Sequence, residues 1–143
     1  MEYKLFLDTN ALLNLQKEAF KESFIISQKT LEEIENIKTS GKKDNEVKYK
    51  ARQIAHLLDE YFGEYEVIAN TNEVKEIINE FSLEETPDNI ILSSAYFYNN
   101  NYSPIVVCTD DLNCKFISKN IFHLTTKGVN EINIVKNIDE YTG

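Results

Sequence analysis

Short apolar runs alternate along the chain with segments whose apolar residues recur at helical spacing, and this alternation predicts an α/β protein with a mostly parallel sheet. Strands are expected at Tyr3–Asp8, Phe24–Ser27, Glu64–Ala69, Pro104–Thr109 and Ile121–Leu124. Helices are expected over Asn10–Glu22, Thr30–Lys38, Thr71–Phe81, Pro87–Tyr98 and Asp111–Lys119. A longer helix should run from Asn45, as N-cap, to Phe62, with Val47, Ala51, Ile54, Ala55, Leu58 and Phe62 on one face and Gly63 just past its end. Thr86 is placed to cap the helix that opens at Pro87, since proline suits the first helical position. Thr39–Asp44 reads as a loop and Glu84–Thr86 as a turn. No linker, repeat or low-complexity tract interrupts the pattern, so one domain over residues 1–143 is expected. After Lys127 the pattern is open: Ile132, Ile134 and Val135 fit an edge strand, a helical turn or a packed extended segment.

Composition narrows the class. A hydrophobic share of 42% and a charged share of 27% are those of an ordinary soluble globular protein. No stretch reaches the roughly 20 apolar residues of a membrane span. The start, Met1-Glu-Tyr-Lys-Leu-Phe-Leu-Asp8, lacks the long apolar region of a signal peptide, so a cytoplasmic location is expected. Cys108 and Cys114 have no metal-ligand spacing and read as small buried apolar residues. A net charge of −9 opposes non-specific attraction to phosphate backbones unless the acids hold divalent cations, which reverse the local field.

The placement of the acids therefore matters. In open parallel sheets, sites form beyond the carboxyl ends of the strands. One strand ends at Asp8-Thr9-Asn10 and another at Thr109-Asp110-Asp111, while Glu33 and Asp88 stand near the starts of helices. Carboxylates brought together there repel one another unless a cation neutralises them. With oxygen donors dominating, Mg²⁺ or Mn²⁺ fits best, and the chemistry implied is phosphodiester hydrolysis. Each acid also has a purely structural role open to it. Asp8, Asp110 or Asp111 could cap a helix, Thr30 and Glu33 have capping-box spacing, and Asp88 would suit a helix dipole.

These segments resemble, in order, the motifs of the PIN domain nucleases. Leu5-Phe-Leu-Asp-Thr-Asn-Ala-Leu-Leu13 is similar to the first motif and Thr30-Leu-Glu-Glu-Ile-Glu-Asn-Ile-Lys38 to the second. Pro87-Asp-Asn-Ile-Ile-Leu-Ser-Ser-Ala95 resembles the third and Val106-Val-Cys-Thr-Asp-Asp-Leu-Asn113 the last. The segment Asp44–Glu60 and the terminal Tyr141-Thr-Gly143 look closer to PIN domains fused to phosphate-starvation-type ATPases than to the compact toxins of toxin and antitoxin pairs. The resemblance implies a Rossmann-like three-layer α/β/α sandwich and a Mg²⁺- or Mn²⁺-dependent endoribonuclease acting on single-stranded RNA. It places metal ligands at Asp8, Glu33, Asp88, Asp110 and Asp111, with Asp8, Glu33, Asp88 and Asp111 catalytic. Thr9, Asn10 and Thr109 would support the carboxylates.

Substrate contact requires positive charge, and Lys42, Lys43, Lys48 and Arg52 form the densest basic stretch. An antitoxin or a separate ATPase chain is the protein partner this implies, and a homodimer is compatible with it. The competing reading is a catalytically silent scaffold of the same fold that binds protein or RNA partners, which the acidity favours. Aspartate phosphotransferases also begin with an Asp after a first strand, but need a second acid two residues later, where this chain has Asn10.

Overall fold

A computed structural model describes residues 3–132. Five parallel strands form one sheet in the order β3-β2-β1-β4-β5: β1 (Lys4–Leu7), β2 (Phe24–Ser27), β3 (Tyr65–Ile68), β4 (Ile105–Cys108) and β5 (Thr125–Lys127). The helices are α1 (Thr9–Leu15), α2 (Gln28–Thr39), α3 (Asn45–Glu60), α4 (Asn72–Glu80), α5 (Pro87–Asn101) and α6 (Leu112–Asn120). Parallel neighbours need crossovers, and these helices supply them on both faces of the sheet.

Period-two alternation along the strands splits the core in two. Leu5, Leu7, Phe24 and Ile26 pack under α1, α2 and α3, against Leu12, Ile34 and Ile54. Phe6, Ile25, Ile105 and Val107 point the other way, against Ile77, Leu92, Ala95 and Cys114 of α4, α5 and α6. The chain thus leaves β1 for one face and returns to β4 from the other, so the carboxyl ends of β1 and β4 flank the point where the winding reverses. The expected Rossmann-like three-layer sandwich is the observed fold.

The expected helix over Asn10–Glu22 is broken. α1 stops at Leu15 because Gln16 adopts φ 50, where its Nε2 donates to the carbonyls of Leu13 and Lys50. A 3-10 turn over Gln16–Lys21 follows and seats Phe20 against Phe24, Tyr61 and Tyr65. Asp44, not Asn45, caps α3, accepting from the Val47 amide at 2.9 Å. The same helix ends at Glu60, so Tyr61 turns in to stack on Phe20 while Phe62 is left 86% exposed. α2 begins at Gln28 with Ser27 as its cap, which puts Thr30 inside the helix. Thr86 caps α5 as expected.

The strand expected at Ile121–Leu124 lies later, at Thr125–Lys127. Phe122 and Leu124 are buried and His123 is exposed, which is the alternation of a strand, but His123 has φ 54 and cannot sit in a ladder. Packing of Phe122 on Phe81 and Tyr96 produces the pattern instead of strand pairing. Ile132 is buried against the α1–α3 side of the core, and Ile134 and Val135 lie outside the described residues.

α5 packs on the sheet through the small residues Ser93, Ser94 and Ala95, all fully buried. Ser94 Oγ lies 3.2 Å from the Ile90 carbonyl, to which it can donate, and 3.2 Å from the Ser27 hydroxyl, whereas Ser93 Oγ has no partner among the described residues. An unpartnered buried hydroxyl is a net cost, and a partnered one is a net gain of about 1 kcal/mol. Ser93→Ala should therefore leave urea stability unchanged or raise it by up to about 1 kcal/mol, while Ser94→Ala should lower it by about that amount. Equal losses in both would show that Ser93 has a partner.

Candidate active site

Asp8 follows β1 directly and caps α1, its Oδ1 accepting from the Ala11 amide at 2.8 Å. Its Oδ2 accepts from the Thr109 hydroxyl, which comes from the end of β4. The Thr109 oxygen in turn accepts from the Asp111 amide at 3.1 Å, and Asp111 caps α6 through the Cys114 amide at 2.9 Å. Asp88 stands in the first turn of α5, beyond the cap Thr86, so the helix start does not use its carboxylate. Oxygens of Asp88 and Asp111 and the Cys114 sulfur all lie within 4.8 Å of one another.

Glu33 approaches from the α2 side. Its Oε1 accepts from the Thr9 hydroxyl at 2.5 Å, and Thr9 is also joined to the Thr30 hydroxyl at 3.0 Å. Since Ser27 caps α2, the capping-box role open to Glu33 does not apply. Asp8, Thr9, Asn10, Glu33, Asp88 and Asp111 line one open cleft of about 390 Å³.

Asp110 is placed elsewhere. Its Oδ1 accepts from the Val129 amide at 3.0 Å, across a close approach to Gly128, and it does not line the cleft. Of the predicted basic stretch only Lys43 lines the cleft; Lys42 and Arg52 are exposed and Lys48 is half-buried outside that lining. Lys29 and Asn36 also line it and were not singled out from the sequence. Both stand on the α2 face that carries Glu33, four residues before and three after it, and that spacing was the available signal.

The electrostatics follow from burial. Asp8 is 5% exposed, and loss of solvent, with the charges of Asp88 and Asp111 adding to it, lifts its carboxyl from 3.8 to about 6 against the opposing bonds from Thr109 and Ala11. Asp88 is raised in the same direction by burial and by Asp111, and lowered in part by a hydrogen bond from the Cys114 thiol. Burial and the surrounding carboxylates hold Cys114 protonated, so it serves as a neutral donor here. Cys108, also buried, is pushed up to about 12.

A family profile described as PIN domain matches residues 5–121. The chain belongs to the PIN domain family. The match spans all four acidic segments, and PIN domains are typically nucleases that use divalent metal ions. No curated protein sequence matches the chain. Among solved structures, the fold is similar to that in the crystal structure of VapBC2 from Rickettsia felis bound to a DNA fragment from their promoter. The TM-score is 0.50 and the identity 19%, over 87% of this chain and 98% of that one.

The donors of this PIN domain fit such an ion: carboxylate oxygens converge from separate elements, and no cation of the protein forms a salt bridge with Asp8, Asp88 or Asp111 among the described residues. Removing the ion should expose the cost. A carboxyl raised in the folded state favours folding fully below its unfolded value of 3.8, and that contribution is lost as pH rises through about 6. In EDTA, wild type should therefore lose stability relative to Asp8→Asn between about pH 4 and 7, by on the order of 2 kcal/mol. Millimolar Mn²⁺ or Mg²⁺ should raise the wild-type melting temperature at pH 7. A wild-type minus variant difference that is flat with pH would refute the assignment of Asp8 as a destabilised carboxylate.

Proposed function

We propose that the chain is a metal-dependent endoribonuclease, a single catalytic domain that hydrolyses phosphodiester bonds of single-stranded RNA with Mg²⁺ or Mn²⁺. The observation that carries this reading is the convergence of Asp8, Asp88 and Asp111 from the ends of β1 and β4 and the start of α5, with Glu33 facing them across the cleft. Asp8, Asp88 and Asp111 would hold the ion, which when bound supplies charge neutralisation at the phosphoryl oxygens and a more acidic water. Glu33 presents its Oε2, which has no hydrogen-bond partner among the described residues, and would accept a proton from the attacking water. Thr9 fixes the Glu33 rotamer and Thr109 that of Asp8, while Asn10 lines the entrance. Lys43, and Lys29 on release from its ion pair with Glu32, would hold the flanking phosphates, with Lys42, Lys48 and Arg52, outside the cleft lining, as further contacts. Asp110, bonded to the Val129 amide, is left out of the ligand set.

The similar Rickettsia felis structure is of VapBC2 bound to a DNA fragment from their promoter, and a protein partner of antitoxin type belongs to this proposal. The silent-scaffold alternative is favoured by the net charge of −9. Substitution separates the two readings. Asp88→Asn and Glu33→Gln keep size and remove one negative charge each. Both should fold and should lose Mn²⁺-dependent cleavage of single-stranded RNA by about a hundredfold or more. Wild type that cleaves neither RNA nor DNA with Mn²⁺ or Mg²⁺ would leave the scaffold reading standing.

Neutralising Lys42, Lys43, Lys48 and Arg52 together should weaken RNA binding and flatten its dependence on salt, with little change in melting temperature. An unchanged salt slope would place the substrate elsewhere.

A further inference from the structure

α6 begins at the cleft, where Asp111 caps it, and runs away from it along the outer side of the sheet. Cys114 and Ser118 are its buried residues. On the opposite side, Leu112 and Phe116, one turn apart, are 62% and 54% exposed. At helical spacing Lys115 and Lys119 border them on one flank, and Lys127 of β5 is exposed nearby. α6 packs on β5, with the Ser118 and Thr126 hydroxyls 2.7 Å apart, which brings Lys127 to the side of Lys115 and Lys119, and the Lys115 amine approaches Gly128, whose amide donates to Glu131 at 2.8 Å. Among the described residues none of the three forms a salt bridge. Asp110 and Glu131 are the acids of this region, and both accept backbone amides.

A flat aromatic ring beside amines is the pairing that single-stranded nucleic acid recognises: bases stack and phosphates meet the charge. On a chain of net charge −9, such a face is a local exception to the general field. It also adjoins the acidic cleft: α6 starts after β4 and α2 after β2, so the two helices begin on either side of β1.

We infer that the outer face of α6 is a second binding surface for single-stranded RNA, in which Phe116 and Leu112 receive a base and Lys115, Lys119 and Lys127 the phosphates beyond the cut. The inference rests on the nuclease reading for the direction of the strand: the substrate crosses from α2, over the carboxylates, and onto α6. Phe116 and the lysines are positioning residues remote from the reacting phosphate.

Two variants test it, Phe116→Ala and the pair Lys115→Gln with Lys119→Gln; Phe116 and Lys119 are exposed and Lys115 is half-buried. With Mn²⁺, each should raise KM at least about fivefold for RNA on the order of 12 nucleotides long, while leaving kcat, and both constants for a dinucleotide, unchanged. The lysine pair should also lower the salt slope of binding by one to two phosphate contacts, about 0.7 in slope for each. Photocross-linking of 4-thiouridine RNA should map to the α6 peptide in wild type and be lost in Phe116→Ala. If wild type cleaves with Mn²⁺ and both variants keep the wild-type KM and salt slope with no cross-link on α6, the surface is refuted while the nuclease stands. If wild type cleaves nothing but the α6 cross-link forms and depends on Phe116, the surface holds and the nuclease reading falls. Variants that lose binding to a purified protein partner while retaining all RNA constants would assign the face to that partner and overturn the inference.

Discussion

The hydrogen bond from Thr109 to Asp8 joins the ends of β1 and β4 at the place where the chain's winding reverses. Between these strands the flanking helices diverge to opposite faces, and the crevice they leave is where an α/β sheet offers polar ground next to a rigid core. The bond fixes one Asp8 oxygen, the α1 amide of Ala11 fixes the other, and the Asp111 amide fixes Thr109 itself. Asp8 therefore has a defined rotamer before any ligand arrives. Pre-set geometry of this kind lowers the reorganisation needed when charge develops at a substrate.

The same arrangement conflicts with folding. Burial raises the proton affinity of Asp8 and Asp88, and the charge of Asp111 adds to it at both, that of Asp88 at Asp8. The chain offsets part of this with neutral donors rather than with lysine: the Thr109 hydroxyl, backbone amides at helix starts and the Cys114 thiol. A neutral donor steadies a carboxylate without occupying the coordination space that a cation needs. Capping and ion binding are consequently compatible for Asp8 and Asp111, whose Oδ1 atoms cap helices.

Much of this was legible in the sequence because β1 and β4 are apolar runs that stop close to acids. β2 matched its expected bounds, and Asp8, Glu33, Asp88 and Asp111 all reached one cleft. The failures share a cause. Phe122 and Leu124 alternate as a strand does, yet they are anchors for Phe81 and Tyr96, and only tertiary packing tells the two apart. Gln16 ends α1 through bonds to Leu13 and to Lys50, a residue far along the chain, and no local signal carries that. Asp110 and Asp111 are adjacent with the same chemistry, and the direction each points depends on which one caps α6. Cys114 read as an apolar filler because its partners, Asp88 and Asp111, become neighbours only when α5 and α6 meet.

The overall acidity of the chain conflicts less with a polyanionic substrate than the net charge suggests. Glu18, Glu32, Glu35, Glu46 and Glu66 are each paired with a lysine on the protein's own surface and cancel in equal numbers at a distance, so the net −9 is carried by the remaining acids, those of the cleft among them. Those in the cleft are the acids an ion would neutralise. On the proposed reading, a nucleic acid strand would then meet Lys43 on one wall, while Lys29 there is engaged by Glu32. Screening over about 8–10 Å at ordinary salt means that this local pattern, rather than the sum over the chain, sets the attraction at contact. The sum still acts on approach, so on that reading long-range repulsion slows association with a polyanion, while the contact itself is set by the local pattern.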